Sequence, residues 1–176
     1  MSAGRRPRFR VYIAQSLDGF IASPDGTIDW LEPFPAGTFG FERFIENIAT
    51  IVMGRASYDQ VLTFGDWPYA GTPTVVLTSR PFEPPRTDVE VWTGALAELI
   101  EELGQRQVGE VWVMGGAATI GAFVDLGRID RLDVFILPLL LGRGVPLHTA
   151  AEPRALSLQA AETLEHGVVR LEYTCL

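Results

Sequence analysis

Three runs in this chain end apolar, strand-like stretches in residues suited to gripping phosphate. Glu110 to Met114 is one such stretch; it closes in Gly115-Gly116, and a helix-compatible run, Ala117-Ala118-Thr119-Ile120, begins at once. Two glycines at a strand-to-helix junction let the backbone approach a ligand closely, and the N–H groups of the new helix favour an anion such as a diphosphate. Read alone, the same pair is also an ordinary tight turn. Thr50-Ile51-Val52-Met53 is a second strand, ending in Gly54-Arg55, and Thr74-Val75-Val76-Leu77 is a third, ending in Thr78-Ser79-Arg80. Gly-Gly, Gly-Arg and Ser-Arg termini would line one edge of an open α/β sheet, where such sheets bind ligands. A guanidinium fork suits a phosphate monoester, such as the 2′-phosphate that separates NADPH from NADH.

The elements that must position these runs follow from periodicity and turn chemistry. Phe9 to Leu17 reads as a strand after a solvated tail over residues 1–9, and the domain is expected to span 10–176. Residues 18–39 form a long loop with Pro24-Asp25-Gly26, Pro33 and Pro35 as turns, and its aromatics suit a lid over a flat substrate. Helices are expected over Phe41 to Asn47, Ala56 to Phe64 and Ala117 to Leu126, with a further one capped by Thr93 and carrying Leu96, Leu99, Ile100 and Leu103 as its core stripe. Val89 to Trp92 and Arg131 to Leu141 are strands, Gly142-Arg143-Gly144 is a turn, and residues 157–165 pair with 168–175 as an antiparallel hairpin turning at His166-Gly167. Strands alternating with helices before a terminal hairpin predict a three-layer α/β domain on a mostly parallel sheet. The apolar Val134 to Leu137 and Leu139 to Leu141 fit either a buried central strand or an interface edge.

Composition narrows the chemistry. With 176 residues the chain fits one domain, and a net charge of −8 argues against nucleic acid. The absence of lysine excludes a P-loop lysine, a pyridoxal-phosphate Schiff base and a lysine nucleophile. One cysteine, Cys175, permits neither an intrachain disulfide nor a cysteine metal cluster. His148 and His166 lie apart without a ligand motif, so no metal site is expected, and no Gly-x-Ser-x-Gly elbow suggests a hydrolase. No apolar run of spanning length and no secretory h-region follow the four arginines of residues 1–10, so no membrane association and a cytoplasmic location are expected.

The order Ala14, Leu17-Asp18-Gly19, Val52-Met53-Gly54-Arg55, Val76-Leu77-Thr78-Ser79-Arg80, Val113-Met114-Gly115-Gly116 resembles the dihydrofolate reductase-like superfamily. Ser16 to Ala22 is closer to the C-terminal reductase domain of the bifunctional riboflavin-biosynthesis deaminase/reductase. The resemblance implies the dihydrofolate reductase-like fold and an NADPH-dependent oxidoreductase. It implies that Arg55 and Ser79 hold the 2′-phosphate with Arg80 nearby, and that Gly115 and Gly116 lie beneath the diphosphate. Ala117, Ala118 and Thr119 would offer helix-start N–H groups and Ala14 would sit near the nicotinamide, while Gly54, Ser57, Thr78 and Met114 complete the cofactor side. Relatives of this type tend to be dimers, so a homodimer is expected on that ground alone.

Two departures bear on the substrate. The riboflavin-type reductase carries a lysine and a glutamate where this chain has Tyr12 and Met114, and the zinc motifs of a fused deaminase are absent. The pterin-binding acid of dihydrofolate reductases falls near Thr38 or Phe39, leaving Glu42 as either its substitute or a solvated helix charge. Tyr12, Trp30, Phe39, Phe41 and Tyr58 suggest a flat, largely apolar acceptor pocket, with Trp30 and Tyr58 the substrate-side candidates. The reading is a hydride transfer to a planar heterocycle, resembling 5-amino-6-(5-phosphoribosylamino)uracil reductase with an altered pocket; water or Asp18 supplies the proton, and Asp18 is alternatively a turn former. A dihydrofolate reductase using Glu42 and a non-catalytic NADPH-binding or sensing protein are the alternatives.

Overall fold

The computed structural model describes residues 6–106 and 109–176. Fourteen elements are defined in chain order: β1 Arg8–Ser16, β2 Phe20–Ala22, α1 Phe41–Ile45, β3 Ile48–Gly54, α2 Arg55–Val61, β4 Thr74–Leu77, β5 Val89–Trp92, α3 Leu96–Gln105, β6 Glu110–Gly115, α4 Ala117–Asp125, β7 Arg131–Leu137, β8 Val145–Pro146, β9 Leu156–Thr163 and β10 Val169–Cys175. Eight strands form one sheet in the order β5-β4-β3-β6-β1-β7-β10-β9. The first six run parallel and the terminal hairpin adds β10 and β9 antiparallel. This is the mostly parallel α/β architecture that the strand–helix alternation predicts, with the terminal hairpin in its expected place.

Period-two side-chain alternation sends neighbouring residues of each central strand to opposite faces, and both faces are apolar. Val52, Val75, Val111 and Val113 pack with Leu99, Ile100 and Leu103 of α3 and with Ile120 and Phe123 of α4. Ile51, Met53, Val76 and Trp112 pack on the other side with Phe44 of α1 and Tyr58 of α2. A sheet covered by helices on both faces accounts for the three layers.

Several boundaries move from their expected places. Residues 1–5 of the expected tail lie outside the described residues, and the domain begins earlier than residue 10. Phe9 is already core, 1% exposed, and donates its N–H to Asp130 Oδ2 at 2.8 Å. The cap of α3 is Ala95 rather than Thr93, because Glu98 folds back to accept the Ala95 N–H at 3.2 Å. Strand β7 stops at Leu137, not Leu141: Pro138 has no N–H to continue the ladder. Of the two readings of the apolar run, β7 takes that of an interior strand, flanked by β1 and β10.

One ionic cluster ties β1, β7 and β10 together. Asp133 is fully buried and accepts from Arg10 Nε and Arg170 Nη2, each at 2.6 Å, and from Arg131 Nη2 at 3.4 Å. Burial alone would push this carboxyl up, but the hydrogen bonds from Arg10 and Arg170 outweigh it and hold the group below the usual carboxylate range.

Candidate active site

The parallel strands all finish at one edge of the sheet, and a cavity of about 490 Å³ opens there. Its walls come from separate parts of the chain: the end of β1 (Tyr12, Ala14), β6 (Trp112, Met114), the α2 face, and the loop after β2 (Ile28, Leu31, Phe34, Phe39). Two ends are distinguishable by what builds them.

The glycine end is backbone. Gly115 has φ +120°, the peptide to Gly116 is cis, and Gly116 caps α4, accepting from Ile120 N at 3.0 Å. A Cβ at Gly54 would come within 2.9 Å of Thr119 Oγ1, and one at Gly116 would meet Ser57 Oγ at 3.6 Å. The absence of side chains here keeps open a cradle between β3, β6 and the two helix starts. Ala117 and Thr119 are buried in the first turn of α4, and Ala118 is exposed. Ala14, Ser57, Met114 and Gly116 line the cavity itself.

Beside this end, the ladder sets Gly54 opposite Leu77, so Arg55 and Thr78 leave adjacent strand ends. Arg55 is part-exposed, pairs with Asp59 at 2.7 Å, and lies over the Phe82 ring at 4.0 Å. The Thr78 hydroxyl accepts the Arg80 N–H and donates to the Arg80 carbonyl, both at 3.1 Å, leaving Ser79 and Arg80 exposed on a tight turn.

The other end is side chain. Tyr12 stacks on Phe44 at 3.9 Å and meets Phe135 edge-on at 4.7 Å, while Phe39 meets Phe135 at 5.3 Å. The Tyr12 hydroxyl donates to the Phe39 carbonyl. Burial pushes its pKa well above the ordinary tyrosine value. Among the described residues, no acidic, cationic or histidine side chain lines the cavity.

Of the cofactor-side candidates, Gly54, Arg55, Thr78, Ser79, Arg80, Gly115, Ala117, Ala118 and Thr119 do not line the cavity, and the four catalytic and substrate-side candidates do not either. Trp30 packs with the Phe135, Leu137 and Val168 cluster and does not line the cavity; its loop neighbours Leu31 and Phe34 do. Tyr58 is 1% exposed, wedged between Trp67 at 5.7 Å and Phe82 at 5.3 Å, so it is core rather than substrate-side. Glu42 is exposed and does not line the cavity, which favours its reading as a solvated helix charge. Asp18 accepts from Ser16 Oγ at 2.6 Å, Leu141 N at 3.1 Å and Gly142 N at 2.7 Å, a staple between two loops that does not line the cavity. Those bonds, the Ser16 one first, hold its carboxyl below its ordinary pKa, which favours the turn-forming reading over the proton donor.

Sequence reading missed Gln60, Val61 and Phe64 in the wall. With Ser57 they fall at i, i+3, i+4 and i+7, one helical face, and that spacing was the available signal.

A family model, the RibD C-terminal domain, matches residues 7–170. The chain belongs to that family. It is 30% identical over 161 residues to the Bacillus subtilis uncharacterized protein YwjB, covering 90% of this chain and 92% of that protein. A solved structure from Shewanella sp. PV-4, provisionally named a riboflavin biosynthesis protein, superposes with a TM-score of 0.87 at 32% identity, over 96% of this chain and 99% of that one. Dihydrofolate reductase from Enterococcus faecalis, solved in complex with NADP(H) and RAB-propyl, shares the fold at a TM-score of 0.66 and 16% identity, over 96% of each chain.

A second cavity, about 600 Å³, shares the Tyr12–Phe39 wall. It is lined by Arg10, Arg43, Arg131 and Arg170, with Glu172 among them.

Proposed function

We propose that this protein is an NADPH-dependent reductase acting on a planar, largely apolar acceptor. The observation that carries the reading is the pairing, in one cleft, of a side-chain-free cradle at two helix starts with an aromatic chamber. The donor set fits the cofactor. Gly54, Gly115 and Gly116 leave room for a diphosphate beside the N–H groups of Ala117 to Thr119. Arg55, Ser79 and Arg80, at the neighbouring strand ends, would take a 2′-phosphate. Ala14, Ser57 and Met114 would flank the nicotinamide.

When bound, NADPH supplies two electrons and a hydrogen to an electrophilic carbon. This chain's own residues do the rest: Tyr12, Phe39 and Phe135 orient a flat ring and the 18–39 loop excludes water. The proton comes from water, because Asp18 is committed to Leu141 and Gly142 and, among the described residues, no acid lines the chamber.

Titration calorimetry with NADPH and NADH, on wild type and Arg55→Ala, tests this. NADPH should bind at least tenfold tighter than NADH, about 1.4 kcal/mol, and the variant should lose that preference. If neither nucleotide binds, the reading fails and the glycine junctions are scaffold turns.

A further inference from the structure

We infer that the acceptor is uncharged and unphosphorylated where the cavity encloses it: a quinone- or conjugated imine-like planar molecule held by aromatic contact, with no ion pair. The inference rests on the reductase reading above. A phosphate or carboxylate entering this chamber would leave its hydration shell and meet no cation, since among the described residues every lining side chain is apolar, aromatic, hydroxyl or amide. On the far side of the Tyr12–Phe39 wall, Arg10 and Arg170 converge on Asp133. Tyr12 and Met114, at the ends of β1 and β6, add an aromatic ring and a thioether to the wall. The Gln60 amide, which could greet a polar substituent, is turned to the Gly26 carbonyl at 2.7 Å. The volume, about 490 Å³, falls in the range of small-molecule sites.

In the reaction the acceptor carbon of C=O or C=N gains the hydrogen that leaves C4 of NADPH with both bonding electrons. The acceptor's heteroatom takes one proton from water, and NADPH is oxidised to NADP⁺.

The test uses a matched pair, menadione and 1,4-naphthoquinone-2-sulfonate, which share a ring system and differ in charge. Calorimetry on the cofactor-free protein should show menadione binding, and a tenfold excess of the sulfonate should fail to displace it. Phe34→Ala, in the loop wall, should weaken menadione at least fivefold without changing the melting transition by more than a few degrees. Ile28→Arg, which places a cation on the same wall, should let the sulfonate compete. Displacement of menadione by equimolar sulfonate from wild type, or no binding of either, or an unchanged affinity in Phe34→Ala, overturns the proposal. NADPH binding without menadione binding sinks this inference alone. Menadione binding without NADPH binding sinks the cofactor reading and leaves a lipophilic site.

Discussion

The two cavities on either side of the Tyr12–Phe39 wall lie along the same face of the same strands, yet one is ionic and the other uncharged. On β1 the face reads Arg10, Tyr12, Ala14; on β7 it reads Arg131, Asp133, Phe135. Two residues along each strand change the chemistry completely. Toward the strand starts, Arg10, Arg131 and Arg170 converge on a buried carboxylate and on Glu172. Toward the strand ends, aromatic packing replaces ion pairing. The difference teaches that this fold keeps its cations for architecture and for the rim of the cleft, and leaves the chamber to contacts that do not discriminate by charge pairing.

Breaking the ionic half should have the largest effect. Asp133→Ala leaves the Arg10 and Arg170 guanidinium groups facing an empty, buried site, and should cost about 3–5 kcal/mol, read from chemical denaturation. The pH dependence follows in sign. A folded-state pKa held below the unfolded one contributes stability that is present above the ordinary carboxylate value, near 3.9, and is lost as pH falls through the depressed value. Acid unfolding of the wild type should therefore steepen below that range, and Asp133→Asn should flatten that limb.

Next comes the glycine end. Gly54→Ala puts a Cβ 2.9 Å from Thr119 Oγ1 in a buried first turn. It should destabilise by about 1–3 kcal/mol and weaken NADPH more than menadione. Equal losses for both ligands would show that the two ends are not separable.

Tyr12→Phe sharpens the comparison at the shared wall. It removes one hydroxyl-to-carbonyl bond, about 0.5–1.5 kcal/mol, and keeps the ring stack on Phe44. Menadione should still exclude the sulfonate; a collapse in turnover with unchanged affinity would instead make Tyr12 the proton source. The smallest effect is expected of Asp18→Asn, which loosens an exposed loop staple. Reductase turnover should stay within about twofold, well under the tenfold that 1.36 kcal/mol represents. A large loss, with a new pH limb, would restore Asp18 as the acid.

The glycine end was legible because it is local. An apolar period-two run, a glycine pair and a helix start are contiguous, so Gly54, Gly115, Gly116 and the α4 start could be read from backbone chemistry alone. Composition and strand–helix alternation likewise determined the three-layer parallel architecture. The chamber was not legible in the same way. Trp30 and Leu31 sit side by side in one 3₁₀ turn, where each step rotates the side chain about 120°, and no periodicity in a proline-rich loop sets the phase. Both pack against the Leu137 cluster, yet only Leu31 also reaches the cavity. Tyr58 became core only because Trp67 and Phe82, distant in sequence, close over it. Asp18 likewise became a staple only once Leu141 and Gly142 arrived from the far end of β7. Sequence determined the strand ends because local backbone conformation decides them; tertiary structure decided the chamber because its walls come from segments that meet only after the sheet has formed.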